Sequence, residues 1–327
     1  MFRTEVHIPS TGINLQLHDK VVTIGSCFAE VIGTKLREYK ADVVINPFGT
    51  IFNPISVGRL LQAVAGGPFN LEQNLVLRDG IWYSYDLHSS LSSPDKNELL
   101  QLIEARIEQT REHLSQAKLL IITLGTAVSY KLADTGNIVA NCHKLAAKQF
   151  SRTLLTIEEI TESIEVSYHA LKKLNPELQL ILTVSPVRHV KETLLTNSVS
   201  KSILRVATHY LTEQHQDILY FPAYEIMLDD LRDYRFYGPD MLHPTPTAED
   251  YIWQKFIAAY LHPLYQEFLP AWEKIRRAVA HRPFHPHAEA HQSFLNNTLA
   301  QLKHLSVKYN ISTEMEELVL RQQLTST

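Results

Sequence analysis

Two short stretches, far apart in the chain, hold residue types that together could transfer an acyl group. In "PDMLHPTPTAEDYIW" an aspartate and a histidine, Asp240 and His243, stand three apart on a loop. Thr247 and Asp250 mark the start of the helix that follows. Such a loop can aim both side chains at one nucleophile, with Asp240 holding the imidazole and His243 acting as general base. In "VVTIGSCFAE", residues 21–30, an apolar β-branched run ends in Gly25, Ser26 and Cys27. A helical pattern with Phe28, Val31, Ile32 and Leu36 on one face follows at once. The nucleophile is Cys27 or Ser26. A thiol at a helix N-terminus beside an imidazole is expected to ionise below its ordinary range, and the neighbouring N–H groups can stabilise an oxyanion. Each residue also has a plainer role: Cys27 as a small packing residue, Ser26 as an N-cap, and Asp-x-x-His as a surface turn.

These residues need a scaffold that brings them together. Runs at 21–25, 42–46, 119–125 and 178–185 are apolar without alternation, as strands covered on both faces are, and 218–224 is a weaker fifth. Helical patterns at 28–40, 55–66, 94–117 and 156–175 lie between them. Pro94 and Asp95 read as first-turn residues, and Thr156 with Glu159 has capping-box spacing. The alternation predicts a doubly wound α/β sheet, whose sites form beyond the carboxyl ends of the strands. Residues 70–93 alternate like a hairpin turned at Asp79-Gly80, inserted over that edge. The chain divides into a sheet domain, 1–263, and a helical C-terminal extension, 264–327.

Lys and Arg total 31 against 35 Asp and Glu, a net charge of −4, which gives no reason to expect nucleic acid or an anionic membrane as partner. Two cysteines cannot build a disulfide framework. There is no apolar stretch of membrane-spanning length and no apolar leader at the N-terminus, so the chain reads as soluble and cytoplasmic. HExxH, paired CxxC, P-loop and GxGxxG motifs are missing, so neither a metal nor a nucleotide cofactor is expected.

The sequence resembles the GSCFA family, a branch of the SGNH, or GDSL-like, hydrolase superfamily. "GSCFA" at 25–29 matches the family's namesake motif. "NPFGTIFNP" (46–54), "TLGTA" (123–127), "NCHK" (141–144), "TVSPVRH" (183–189) and "DMLHPT" (240–245) resemble its recurrent blocks. The resemblance implies a three-layer α/β/α flavodoxin-like sheet and ester chemistry. It implies a nucleophile at the third place of the first block, which is Cys27, with Ser26 where the superfamily has aspartate. Gly49 takes the place of the glycine that lends an N–H to the oxyanion hole. The superfamily's oxyanion asparagine is missing, because Ala127 stands there. Asn46, Asn141, His143 and Lys144 are candidate replacements, with Thr126 beside them, and Arg188 and His189 could bind a substrate carboxylate or phosphate. The expected function is hydrolysis or transfer of an acyl group carried by a small molecule or carbohydrate. The rival is a ligand-binding protein that kept the fold without the chemistry. An oligomer formed through the tail is left open.

Overall fold

Burial on both faces turns the apolar runs into strands. In a computed structural model, described for residues 4–9, 12–191, 193–285 and 287–325, the chain begins with β1 (Lys20–Gly25), α1 (Cys27–Glu38), β2 (Asp42–Ile45) and α2 (Pro54–Val64). The hairpin β3 (Leu75–Arg78) and β4 (Ile81–Ser84) turns at Asp79-Gly80, both with positive φ, as a two-residue turn requires. Then come α3 (Lys96–Leu114) and β5 (Leu119–Leu124). A small antiparallel sheet follows, formed by β6 (Val128–Leu132), β7 (Ile138–Val139) and β8 (Phe150–Leu154) in the order β7-β6-β8. The remaining elements are α4 (Ile157–Leu174), β9 (Gln179–Val184), α5 (Leu194–Gln214), β10 (Ile218–Tyr220), the short α6 (Ala223–Glu225), α7 (Pro246–Tyr260), α8 (Pro263–Ala280), α9 (Glu289–Tyr309) and α10 (Glu314–Thr325).

The central sheet runs β2-β1-β5-β9-β10, all parallel. Successive residues of each strand serve opposite cores. Val21, Leu119 and Ile121 face the layer of α1 and α7–α10, while Val22, Ile24, Leu120 and Ile122 face α2–α5. The architecture is therefore the three-layer α/β/α sandwich expected. The strand order reverses at β1, whose neighbours β2 and β5 are reached by crossovers in opposite directions. The crevice beyond β1 and β5 is the switch point at which such sheets place their sites.

The tail continues one of these cores. Leu295, Leu299, Leu302 and Leu305 of α9 and Leu320 of α10 are buried in the cluster that holds Phe28, Ile32 and Leu36 of α1. Trp272 of α8 donates its indole N–H to the Glu38 carbonyl at 2.9 Å. Burial of each such leucine contributes about 1.5–3 kcal/mol. The last two residues of the extension, 326 and 327, lie outside the described residues.

Several boundaries differ from the sequence reading. Asp95 is the N-cap of α3, accepting the Asn97 and Glu98 N–H groups, rather than a first-turn residue. Thr245 caps α7 with Pro246 as its first residue, two positions before Thr247. The fifth strand stops at Tyr220, and the chain turns helical after Pro222. The Thr156–Glu159 capping box is present as read.

One residue fixes how β1 leaves the sheet. Gly25, φ 131°, pairs in register with Thr123, and a Cβ there would run into the Thr123 carbonyl oxygen. Only glycine accepts that approach and that φ. Gly25→Ala should therefore lose about 3 kcal/mol or more in urea unfolding. A variant within about 0.5 kcal/mol of the parent would show that the junction relaxes freely.

Candidate active site

The first helical turn after β1 separates the two nucleophile candidates. Ser26 is fully buried. Its Oγ accepts the Phe28 N–H at 3.3 Å and its own N–H donates to the Thr123 carbonyl at 3.0 Å, so it acts as the N-cap of α1. Cys27, the first residue of the helix, is half-buried and carries a free thiol. It borders a cavity of about 390 Å³ with Glu30, Lys35, Glu38 and Glu249. Burial pushes its thiol above the ordinary cysteine range; its own N–H, Lys201 and the Phe28 N–H pull the other way with less effect, and Glu30 adds to the rise. The expectation of a lowered thiol is thus reversed, because desolvation of the half-buried sulfur outweighs the favourable dipoles.

Asp240 and His243 meet as the spacing predicts. His243 Nδ1–H donates to Asp240 Oδ2 at 2.6 Å, which leaves Nε2 as the basic nitrogen. Asp240 Oδ1 accepts the N–H groups of Leu242 at 2.9 Å and His243 at 3.1 Å. The Leu242 N–H first, then the imidazole, hold the Asp240 carboxyl down at about 2. Both side chains are exposed. Their loop is tied to the exit of β9: Arg188 donates its N–H to the Leu242 carbonyl at 3.2 Å and its guanidinium to the Met241 carbonyl at 3.3 Å. The Asp-x-x-His loop therefore stands at the carboxyl edge of the sheet. His243 acts electrostatically on Glu249, a wall residue of the Cys27 cavity, and on His189.

The other candidates fare unevenly. The Gly49 N–H is already given to the Asn46 carbonyl at 2.8 Å, so as an oxyanion donor it is spoken for. Asn46 is better placed: its Oδ1 takes the Gly25 N–H at 3.0 Å, and its buried Nδ2 has no partner. Thr126 Oγ1 shares a hydrogen bond with Ser200 Oγ at 3.0 Å and accepts the Val128 N–H, which shapes the loop after β5. His143 is a buried structural histidine, with Nδ1 on Ser89 Oγ at 2.9 Å, Nε2 on the Ser84 carbonyl at 2.7 Å and its ring stacked on Tyr83. Asn141 Oδ1 accepts the His143 N–H. Arg188 lies over the Tyr237 ring at 3.9 Å and the Tyr234 ring at 5.2 Å, so it braces the Asp-x-x-His loop instead of waiting for an anion. His189 turns its ring edge to Phe52, and its buried Nε2 lacks a partner.

A groove leads away from His189. A cavity of about 230 Å³ is walled by Phe52, Thr126, Tyr130, Val139, His189 and Lys191. A second, of about 380 Å³, shares the Phe52, Tyr130 and Val139 wall and reaches Asn141, Cys142 and Lys144 in the loop between β7 and β8. Among the described residues no group of three or more His, Cys, Asp or Glu side chains could hold a metal ion, and no helix is long and apolar enough to cross a membrane.

Sequence reasoning missed Lys201. Its side chain is wholly buried, and Nζ donates to the Gly125 carbonyl at 2.8 Å and the Ser185 carbonyl at 2.7 Å, joining the exits of β5 and β9. Burial pulls the amine down to about 7, and Cys27 pulls it back up. A signal was there: Lys201 shares the inward face of α5 with Asn197, Leu204, Thr208 and Leu211, where the helical spacing calls for an uncharged residue.

The family model for the GSCFA family matches residues 20–256, and that for the GSCFA domain protein, C-terminal domain, matches residues 272–326. No curated protein matches the sequence. Among solved structures, a carbohydrate esterase family 3 from Talaromyces cellulolyticus is similar at 10% identity, over 77% of this chain and 99% of that one, with a TM-score of 0.34. The acetyl xylan esterase Est2A from the rumen bacterium Butyrivibrio proteoclasticus is similar at 11% identity, over 82% of this chain and 67% of that one, with a TM-score of 0.32.

Burial, reinforced by Lys201 and His243, pulls the His189 imidazole from 6.5 down to about 4. Between those values the unfolded chain binds a proton that the folded chain refuses, so stability falls as pH falls through this window and is fully retained above it. Relative to His189→Phe, the parent should lose on the order of 2–3 kcal/mol between pH 6.5 and 4. Parallel stability–pH curves for the two proteins would refute the assignment of a buried neutral imidazole.

Proposed function

The chain belongs to the GSCFA family, and on that premise we propose that it hydrolyses or transfers acyl groups, with Cys27 as nucleophile, His243 as general base and Asp240 holding the imidazole. One observation carries the reading. A histidine already bonded to a carboxylate stands at the carboxyl edge of the sheet, and a free cysteine occupies the first helical turn beyond the switch point. In the reaction, His243 Nε2 takes the Cys27 proton and the sulfur attacks the acyl carbonyl. The tetrahedral intermediate collapses to a thioester, and the leaving alkoxide receives the proton back from His243. Water, or an acceptor hydroxyl, then gives its proton to His243 and attacks the thioester, which restores the thiol.

The oxyanion needs donors in place of the missing asparagine. The Cys27 N–H and the partnerless Nδ2 of Asn46 are the groups to supply them, since the Gly49 N–H is engaged. The substrate is an O-acyl group on a small molecule or carbohydrate, in keeping with the superfamily that the sequence blocks resemble. The non-catalytic reading draws on Ala127, whose N–H is spent on Ser200 Oγ at 2.7 Å.

The test is turnover of p-nitrophenyl acetate and of a short thioester. Cys27→Ala and His243→Ala should each lower kcat/KM by about 10²–10³-fold or more, and Asp240→Asn by about 10²-fold. Ser26→Ala should keep turnover within about threefold while losing about 1 kcal/mol of stability as the cap goes. Loss of activity in Ser26→Ala with retention in Cys27→Ala would move the nucleophile to the serine. If the parent turns over neither substrate and still binds an unreactive analogue, the ligand-binding reading replaces this one.

A further inference from the structure

The "NCHK" stretch, residues 141–144, has no part in the chemistry proposed above, yet the fold fixes it at the far end of the groove that leaves His189. Its backbone enters the left-handed region at two successive residues, His143 at φ 48° and Lys144 at φ 56°. Neither is glycine, so the surroundings impose that turn. They do so through the buried His143 ring, held by Ser84 and Ser89, and through Asn141 Oδ1, which takes the His143 N–H at 2.8 Å. The loop leaves Lys144 exposed, in the wall of the larger cavity. Lys191 lies in the wall of both cavities, with its ammonium 4.8 Å from the centre of the Tyr130 ring. Among the described residues neither cavity has an aspartate or glutamate in its wall, although the whole chain carries a net charge of −4. Phe52, Tyr130, Val139 and Phe150 make much of the wall apolar or aromatic. The Cys27 cavity is opposite in character, with Glu30, Glu38 and Glu249 beside one lysine.

We propose that this groove receives the alcohol part of the acyl ester and selects a small molecule with a flat apolar body and an anionic end, a carboxylate or a phosphate, placed at Lys144 and Lys191. The inference rests on the acyl-transfer reading and gives its substrate a class. The side of the site follows from the proton. His243 must return its proton to the leaving oxygen, so the leaving alcohol lies on the His243 side of the acyl carbon. The groove opens on that side. His189 heads it, and Arg188, the residue before, is bonded to the Met241 and Leu242 carbonyls of the His243 loop. An anion directed into the Cys27 cavity meets three glutamates instead. The aromatic walls take the body by burial. The two ammonium groups act as point charges, which suits carboxylate and phosphate alike. The larger cavity, about 380 Å³, has the size of a small-molecule site. The anion-binding role expected at Arg188 thus falls to the lysines, because Arg188 is engaged with the loop and its tyrosine rings.

Three acetyl esters on one naphthalene body test it: 6-acetoxy-2-naphthoate, 6-acetoxy-2-naphthyl phosphate and the neutral 6-acetoxy-2-naphthamide. For the better of the two anions kcat/KM should exceed that for the amide by about five- to tenfold, chiefly through KM, and high salt should shrink the margin. The better anion also tells carboxylate from phosphate. In the double variant Lys144→Met/Lys191→Met, changed at two exposed positions, the ratio of anion to amide should fall to about one. A ratio near one in the parent, or one that the double variant leaves unchanged, overturns the proposal. Calorimetric binding of the unreactive 6-hydroxy-2-naphthoate, 6-hydroxy-2-naphthyl phosphate and 6-hydroxy-2-naphthamide keeps this result apart from the acyl-transfer reading. If an anion binds more tightly than the amide, the double variant loses that margin and no ester is turned over, the acyl-transfer reading fails and the groove stands. If all three esters are turned over equally, the groove assignment fails and the acyl-transfer reading stands. Equal binding of all three hydroxynaphthalenes in the absence of turnover overturns both.

Discussion

The site depends on a close approach between two neighbouring strands. β1 must leave the sheet beside β5 with no room for a side chain at Gly25, so the chain turns there at a positive φ. The exits of three strands are laced around that residue. Asn46, at the end of β2, accepts the Gly25 N–H; Ile51 donates to the Gly25 carbonyl at 2.8 Å; Ser26 donates to Thr123 on β5. The helix that begins one residue later has Ser26 as its cap and Cys27 as its first member. Thus the position of the sulfur is set by backbone geometry, and the switch point of the sheet makes that position a crevice.

The surrounding groups divide into a dry half and a wet half. Cys27, Lys201 and His189 lie where burial opposes charge, and the shifts of all three follow from desolvation before any partner is considered. Asp240 and His243 are exposed, held by a loop that Arg188 braces from the exit of β9. A base in contact with solvent can exchange protons and release products, whereas a nucleophile in a low-dielectric setting is stronger once ionised, since it has less water to shed. Such a division makes the charge of the cysteine the controlling variable.

Much of this was legible because the determinants are local. The unbroken apolar runs, the Asp79-Gly80 turn, the Thr156–Glu159 box and the Asp240–His243 pair all depend on residues close in sequence, and each is present in the fold. The three-stranded β7-β6-β8 sheet was not read, because its strands are short, partly exposed and alternate with charged residues such as Lys131 and Arg152. The roles of His143 and Arg188 depended on partners far along the chain: Tyr83, Ser84 and Ser89 around His143, and Tyr234, Tyr237 and Met241 around Arg188. The raised thiol of Cys27 was misread for the same reason, as the helix terminus is local whereas burial is a property of the whole fold. Lys201 was passed over although its helical position marked it, since one charged residue on a buried face looks like an error in the pattern until its partners are known.

The central claim is that Cys27 forms a covalent bond to the acyl group, and the direct measurement is to catch that bond. The protein is mixed with p-nitrophenyl acetate, quenched in acid within the first turnover and digested for peptide mass spectrometry. The account predicts one acetyl group on the peptide carrying Cys27, lost on treatment with neutral hydroxylamine as a thioester is, and missing in Cys27→Ala. Turnover with the acetyl group on Ser26, or with Cys27 unmodified throughout, would contradict it.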